Sequence, residues 1–373
     1  MDIGVPKEIK TDETRVGLSP ESVREVVGHG HRAVIETGAG RSSGFEDQEY
    51  VDAGAKIVPD AAAVFDSAEL IVKVKEPQRV EREMLTERHT LFTYLHLAAD
   101  ADQARDLIDS GSIAIAYETV TDRSGRLPLL TPMSQVAGRL SIQAGATALE
   151  APHGGRGLLL GGVPGVARSK VVIIGGGVVG SNAIRMAVGL EADVLVLDRN
   201  TMVLEELADR YGPALRTRYS TAASLDDAVV DADLVISAVL IPGAAAPKLV
   251  TRDMVRRMRP GSVVVDVAID QGGSTETSHA TTHSDPTYIV DDVIHYCVAN
   301  MPGAVPRTAT FALNNATLPY VLAIADEGPL EALGNRPHLR RGLNIFRGQV
   351  TEAAVAEALG LEYVDPEQAL AAA

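Results

Sequence analysis

Residues 171–180 read VVIIGGGVVG, and this stretch decides the fold of the chain. Four β-branched apolar residues precede Gly175, which is typical of a strand buried on both of its faces. An apolar helical segment follows the glycines, and a second strand at 193–198 ends in Asp198. The stretch therefore predicts a βαβ unit with a G-x-G-x-x-G turn and a carboxylate at the end of its second strand.

Each glycine of this turn has a physical role in dinucleotide binding. Gly175 permits the tight turn, Gly177 lets the backbone approach a pyrophosphate, and Gly180 lets the helix pack closely on the strand. The helix N-terminus then offers unpaired N–H groups to the phosphates. Asp198 stands where a carboxylate would bind the ribose 2′-hydroxyl. Arg199 favours a 2′-phosphate, but Asp198 repels one, so the sequence predicts NAD rather than NADP. The alternative to dinucleotide binding is a plain βα turn without a ligand, which the pattern favours less.

Composition narrows the class of protein. The chain has 373 residues, which predicts two domains, and a formal net charge of −16, which argues against a nucleic acid or an anionic membrane as partner. The single cysteine, Cys297, excludes an intrachain disulfide and stands among apolar residues, so we expect a structural thiol rather than a nucleophile. No apolar run has membrane-spanning length and the start lacks a signal-peptide core, so we expect a cytoplasmic protein.

Short apolar strands alternate with helical segments on both sides of the glycine turn, which predicts two mostly parallel sheets covered by helices. The first series of strands is predicted at 2–5, 33–36, 56–58, 70–74, 90–92 and 113–117, and the second at 171–174, 193–197, 234–237 and 263–269.

The sequence thus predicts an α/β protein with two Rossmann-like, doubly wound domains joined by long helices at 131–149 and from 302 to about 325. Residues 1–128 and 306–373 are assigned to a discontinuous substrate and catalytic domain, and residues 129–305 to an NAD-binding domain. We expect the substrate to meet the nicotinamide in an interdomain cleft.

Several polar residues stand where chemistry is expected. Asp270 follows the predicted strand at 263–269 and precedes two glycines, so it is either functional or a turn residue, whereas Asp266 is expected to be structural. Alternation along 90–97 places Tyr94 and His96 on one strand face, where His96 is either a general acid and base or a structural histidine.

Two cations complete the set of candidates. Lys75 follows an apolar strand, and Arg15 lies in a loop. Considered alone, each is most simply interpreted as a charged surface residue. Together they would supply the positive charge that a small carboxylate substrate needs. The spacing of cysteines and histidines predicts no metal site. His279 and His283 are four residues apart in a predicted loop, where we expect no metal binding.

Short motifs spread along the chain resemble those of the alanine dehydrogenase and pyridine nucleotide transhydrogenase family. They occur at 5–16, 74–77, 94–97, 132–134, 161–166, 266–273 and 300–303. The resemblance implies NAD-dependent oxidative deamination of L-alanine to pyruvate and ammonia, and the reverse reaction. The alternatives are a nucleotide-binding component of a proton-translocating transhydrogenase, a related amino-acid oxidoreductase or cyclodeaminase, and an inactive NAD sensor.

The resemblance also implies roles for particular residues. His96 and Asp270 would be catalytic, and the substrate would be bound by Arg15, Lys75, Tyr94, Met133 and Asn300. The cofactor would be bound by Ser134, Gly175, Gly177, Val178, Val179, Gly180, Asp198, Ser220, Val239, Leu240, Val267, Ala268, Ile269, Asp270, Val298, Asn300 and Met301. Val203 and His279 stand where many relatives have cationic residues. These differences concern contacts with the adenosine or phosphates of the cofactor and not the reaction itself. The resemblance further implies a homohexamer.

Overall fold

The computed structural model describes residues 1–239 and 246–372, and the chain divides into two compact units. One unit consists of Met1–Met133 and Val305–Ala373, and the other of Ser134–Ala304. Within the described residues, no helix is both long enough and apolar enough to cross a membrane.

The first half of the chain alternates strands with helices, as the sequence predicts. The strands are β1 (Asp2–Val5), β2 (Arg32–Glu36), β3 (Lys56–Val58), β4 (Leu70–Val72), β5 (Thr90–Thr93) and β6 (Ile113–Ala116). The helices are α1 (Pro20–Gly28), α2 (Asp47–Asp52), α3 (Ala61–Ser67), α4 (Arg79–Arg82) and α5 (Ala101–Ser110), and α6 (Thr131–Ala148) follows them.

The second unit contains the glycine turn between its first strand and first helix. Its strands are β7 (Lys170–Ile174), β8 (Asp193–Asp198), β9 (Leu215–Tyr219), β10 (Leu234–Ser237), β11 (Val263–Asp266), β12 (Thr287–Val290) and β13 (Val293–Tyr296). Its helices after α6 are α7 (Val178–Gly189), α8 (Thr201–Tyr211), α9 (Ala222–Val230) and α10 (Arg252–Arg257). In the described residues its sheet has the order β12-β13-β11-β10-β7-β8-β9, and only β12 is antiparallel to its neighbour.

The last part of the chain returns to the first sheet. It forms α11 (Pro306–Glu327), α12 (Pro329–Asn335), α13 (Pro337–Arg340), β14 (Leu343–Phe346), β15 (Gln349–Val350), α14 (Ala353–Leu359) and α15 (Pro366–Ala371). The first sheet has the order β15-β14-β6-β5-β4-β1-β2-β3 among described residues, with β14 antiparallel to β6. Strands β1 to β6 are parallel to their neighbours within that group.

Burial and capping explain why these elements form where they do. All three residues of β4 and all four of β11 are buried, as expected for central strands covered on both faces. The α1 helix begins after Ser19, whose side chain accepts a hydrogen bond from the Ser22 backbone N–H, and Pro20 occupies its first turn.

Several predicted element boundaries differ from the structure, most clearly the following ones. β4 ends at Val72 rather than residue 74, and the side chain of the next residue, Lys73, forms a buried ion pair. β11 ends at Asp266, whose side chain accepts from the Ala268 N–H and starts a 3-10 turn. The last long helix begins at Pro306 rather than residue 302, since residues 301–304 form a separate 3-10 turn.

Candidate active site

A buried ion pair fixes Arg15 in the loop that follows β1. The Glu13 carboxylate accepts from the Arg15 Nε at 2.7 Å and also from Nη2, so the pair is bidentate, and Arg15 is only 2% exposed. Burial disfavours the charged carboxylate, but the Arg15 guanidinium outweighs burial and lowers the pKa of Glu13 to about 2. Arg15 Nη1 also lies 2.8 Å from the Met133 Sδ. Arg15, the cationic residue predicted to bind the substrate, is therefore held rigidly and is always charged.

Lys75 follows β4 and lies near the same carboxylate. Its ammonium charge contributes to the low pKa of Glu13, and its carbonyl oxygen accepts from the Thr93 Oγ1 at 2.9 Å. The buried Glu8 carboxylate accepts from the Val74 N–H at 2.6 Å and lies 3.4 Å from the Lys75 N. The structure thus brings Arg15 and Lys75, the two cationic residues predicted to bind the substrate, close to Glu13.

A second buried ion pair lies beneath Lys75. Lys73 is fully buried, and its Nζ lies 3.1 Å from the Glu8 Oε2 and 2.7 Å from the Glu81 Oε1. Burial raises the pKa of Glu8, although the charge of Lys73 opposes the effect. Glu8 therefore joins the buried lysine to the backbone that carries Lys75, and the sequence interpretation did not single it out.

Tyr94 and His96 lie together, but not on a strand. β5 ends at Thr93, and His96 has a φ of 53°, so the strand alternation along 90–97 that placed both side chains on one strand face does not hold. The two rings are nonetheless stacked, with centroids 5.9 Å apart, while Leu95 and Leu97 are buried in the core. The Tyr94 hydroxyl donates to the Leu129 carbonyl oxygen at 2.6 Å, and burial raises the pKa of this tyrosine.

Glu118 is the functional candidate that the sequence interpretation missed. Its Oε1 accepts from the His96 backbone N–H at 2.6 Å and lies 3.7 Å from the His96 Nδ1. The residue follows β6, which is the parallel neighbour of β5 in the sheet. Because parallel strands end at the same edge of a sheet, a carboxylate just after β6 could have been matched to the histidine just after β5.

The glycine turn of the second unit has the geometry that its sequence requires. Gly175 has a φ of 97°, which glycine adopts without strain. A Cβ on Gly180 would lie 1.7 Å from the Gly175 carbonyl oxygen, whereas one on Gly177 would meet no atom within 4 Å. The N-terminus of α7 at Val178 follows directly. A close turn, an open position and a helix N-terminus fit a bound pyrophosphate.

Asp198 ends β8 beside this turn. Its Oδ2 accepts from the Gly176 N–H at 2.7 Å, and its Oδ1 accepts from the Asn200 N–H at 2.8 Å. The Ser220 N–H donates to the Asp198 carbonyl oxygen at 2.9 Å, so Ser220 lies at the same edge. A carboxylate with both oxygens already oriented by the backbone fits a ribose, since each oxygen can accept a further hydrogen bond.

Other predicted cofactor residues surround the turn or follow the neighbouring strands. A Cβ on Gly175 would lie 3.2 Å from the Val239 Cγ2, and the α6 residue Gly138 packs against the Val179 carbonyl oxygen. Ser134 lies in the first turn of α6. Val267, Ala268 and Ile269 belong to the 3-10 turn after β11, and Val298 and Met301 are buried after β13. Leu240 lies outside the described residues.

Asp270 is exposed in the 3-10 turn Val267–Gln271, not at the end of a strand as predicted. Its Oδ1 accepts from the Asn300 N–H at 3.2 Å, and Asn300 has a φ of 56°. The Asn300 carbonyl oxygen lies 3.2 Å from the His283 Nε2. Asp266 instead is fully buried and accepts from the Ser274 and Thr275 N–H groups, as expected of a structural carboxylate.

His279 and Cys297 have structural surroundings. His279 stacks on Tyr288 with ring centroids 3.7 Å apart. Cys297 is buried, and burial raises the pKa of its thiol, which fits the predicted structural role. In the part of the chain that the structure describes, no group of three histidine, cysteine or acidic side chains is arranged to hold a metal ion.

Comparison with known families accounts for both units. Residues 4–137 match the family described as alanine dehydrogenase/PNT, N-terminal domain, and residues 141–353 match alanine dehydrogenase/PNT, C-terminal domain. The chain belongs to the alanine dehydrogenase/PNT family. Because the two matches together cover most of the sequence, membership does not depend on the glycine turn alone.

Members of the alanine dehydrogenase/PNT family match over almost their whole length. The alanine dehydrogenase of Halomonas elongata is 58% identical over 98% of both chains, and that of Bacillus subtilis is 57% identical over 99% of this chain and 98% of its own. A solved L-alanine dehydrogenase superposes with a TM-score of 0.94 at 54% identity, covering 96% of this chain and 99% of its own. A transhydrogenase from Sinorhizobium meliloti superposes with a TM-score of 0.82 at 25% identity, over 95% and 100%.

Proposed function

We propose that this protein catalyses the NAD-dependent oxidative deamination of L-alanine to pyruvate, ammonia and NADH, and the reverse reaction. The observation that carries the proposal is 58% identity, over 98% of both chains, with a protein named alanine dehydrogenase. The similarity covers both units, so it includes the residues around Glu13 as well as the glycine turn.

The substrate carboxylate requires a fixed positive charge. We assign this role to Arg15, whose planar guanidinium can pair with a carboxylate and is oriented by Glu13. Lys75 binds the oxygen that becomes the ketone of pyruvate, since an ammonium donates to a carbonyl oxygen and stabilises developing negative charge on it. Tyr94 and Met133 border Arg15, and Asn300 is assigned to the substrate as well.

The reaction needs proton transfers at nitrogen and oxygen. When NAD is bound, its nicotinamide accepts the hydride from Cα of alanine. His96 then takes a proton from the water that adds to the resulting iminium and returns it to the nitrogen, and it takes the remaining hydroxyl proton as ammonia leaves and the carbonyl of pyruvate forms. Asp270 is exposed and its carboxylate is oriented by the Asn300 N–H, so it can accept a hydrogen bond from that water.

The cofactor is proposed to be NAD rather than NADP. The glycine turn and the N-terminus of α7 would hold the pyrophosphate, and Asp198 would accept hydrogen bonds from the ribose. A 2′-phosphate would bring two negative charges close to the Asp198 carboxylate. We further propose a cytoplasmic homo-oligomer, and from the resemblance a hexamer, which light scattering on the purified protein would test.

The proposed function is tested by NADH formation from NAD⁺ with a panel of L-amino acids at alkaline pH. The expected result is a rate with L-alanine that exceeds the rates with other amino acids. Tight NAD binding without any alanine-dependent NADH formation would contradict the proposal. Hydride exchange between NADH and an NADP analogue, without amino acid, would instead favour a transhydrogenase component.

A further inference from the structure

The carboxylate of Glu118 is directed at the loop that carries His96. Glu118 lies in the 3-10 turn Tyr117–Thr119, and its side chain is 16% exposed. Its Oε1 accepts from the His96 N–H at 2.6 Å, and both of its oxygens lie 3.2 Å from the Leu95 N. A charged acceptor on two consecutive backbone N–H groups holds that segment in one position.

The segment needs such restraint because His96 is in a left-handed conformation. Its φ is 53°, which is uncommon for a residue other than glycine and persists only where the surroundings impose it. The Leu95 carbonyl oxygen accepts from the Gln103 Nε2 at 2.6 Å, and the His96 carbonyl oxygen accepts from the Ala99 N–H at 3.1 Å. Glu118 supplies the restraint on the N–H side of the same residues.

The same carboxylate also faces the imidazole. The distance from the Glu118 Oε1 to the His96 Nδ1 is 3.7 Å, and the Tyr94 ring is stacked parallel to the imidazole with centroids 5.9 Å apart. A negative charge beside Nδ1 favours the proton on that nitrogen, so Nε2 is left with its lone pair. The tautomer matters because only an unprotonated ring nitrogen can accept a proton.

We propose that Glu118 is a positioning residue that holds the His96 loop and directs the imidazole proton to Nδ1, so that Nε2 exchanges protons with the substrate. The catalytic part of this inference rests on the proposed function. Glu118 acts through His96 and is not assigned a contact with the substrate.

Two substitutions separate the charge of Glu118 from its hydrogen bonds. Glu118→Gln keeps an oxygen that can accept from the backbone N–H groups but removes the negative charge, whereas Glu118→Ala removes both. We expect Glu118→Gln to lower kcat with L-alanine about tenfold or more, as for loss of the partner that orients a functional imidazole. Its KM for NAD⁺ and its Tm are expected to stay near those of the wild type.

The matched control is Glu49→Gln. Glu49 also accepts from a backbone N–H, that of Glu46 at 2.8 Å, and belongs to the α2 capping box. This variant is expected to keep the wild-type kcat. If Glu118→Gln is as active as Glu49→Gln, the charge of Glu118 has no role in positioning and the proposal is overturned.

The tautomer itself is read without substrate, from ¹⁵N shifts of the His96 ring in histidine-labelled protein. The His96 signals are assigned by their absence in His96→Asn. We expect the Nδ1–H form to dominate in the wild type and to lose that dominance in Glu118→Gln. Equal tautomer populations in the two proteins would contradict the proposal. An inactive wild type would contradict the proposed function instead, and the NMR comparison would still decide the role of Glu118.

Discussion

The Tyr94 and His96 rings lie parallel, with an angle of 2° between their planes and centroids 5.9 Å apart. Two residues separated by one position share a side in a strand, but β5 ends before them, at Thr93. His96 has a left-handed backbone, so the stack forms outside the strand. The imidazole is therefore stacked parallel to an aromatic ring while its side chain is 47% exposed, which suits a group that exchanges protons with a substrate.

Removal of the imidazole tests the assignment of His96 as the acid and base. His96→Ala is expected to lower kcat/KM for L-alanine about a hundredfold or more, the range for loss of a general acid and base. The Kd for NADH, measured by fluorescence, should be unchanged because the assigned cofactor residues lie in the other unit. Near-normal alanine oxidation by this variant would exclude His96 from the mechanism.

The stacked tyrosine allows a separate prediction. Tyr94→Phe keeps the ring but removes the hydroxyl that donates to the Leu129 carbonyl oxygen, and loss of one such hydrogen bond costs about 1 kcal/mol of the free energy of unfolding. Tyr94→Leu also removes the ring that supports His96. We expect kcat to stay within a fewfold of wild type for Tyr94→Phe and to fall further for Tyr94→Leu. Equal kcat values for the two variants would show that the stack does not matter for the reaction.

The Glu13–Arg15 pair predicts a dependence of stability on pH. The pKa of Glu13 is lowered from 4.5 to about 2 in the folded chain, so the folded state binds the proton less readily than the unfolded state. The stabilising contribution of Glu13 is therefore complete above 4.5 and is lost as pH falls from 4.5 through 2. Over this window the Tm of the wild type should fall more steeply than that of Glu13→Gln, as measured by circular dichroism. Parallel curves would contradict the prediction.

Local sequence patterns predicted β1 to β8, β10, β11 and the glycine turn, but they missed β9 and β12 to β15 as well as contacts between distant residues. Four apolar residues before Gly175 specify a buried strand, and a φ of 97° at Gly175 follows from glycine at that position. Glu118 contacts His96 only because β5 and β6 are neighbours in the sheet, which periodicity along one segment does not reveal. The role of Glu8 was hidden in the same way, since its partner Lys73 is remote in sequence.

Asp198 is expected to decide between NAD and NADP. Asp198→Asn keeps one acceptor oxygen, for either the Gly176 or the Asn200 N–H group, gives up the other acceptor, and removes the charge that would repel a 2′-phosphate. The ratio of kcat/KM for NADP⁺ to that for NAD⁺ should rise by about tenfold, equivalent to roughly 1.4 kcal/mol. Arg199 remains beside the site and would pair with the added phosphate. A wild type that uses the two cofactors equally would contradict the assignment of Asp198.

Two glycines of the turn are expected to be required for different reasons, Gly180 for packing of the protein and Gly177 for binding of the cofactor. Gly180→Ala would place a Cβ 1.7 Å from the Gly175 carbonyl oxygen, so the backbone must shift, and we expect a clear loss of Tm even without cofactor. Gly177→Ala meets no protein atom within 4 Å, so its Tm without cofactor should stay close to that of the wild type. If a pyrophosphate approaches Gly177, however, the added methyl group should raise the Kd for NADH about tenfold or more. Thermal unfolding with and without NADH measures both effects. A Gly177→Ala protein that binds NADH as tightly as the wild type would show that the cofactor backbone does not approach this glycine.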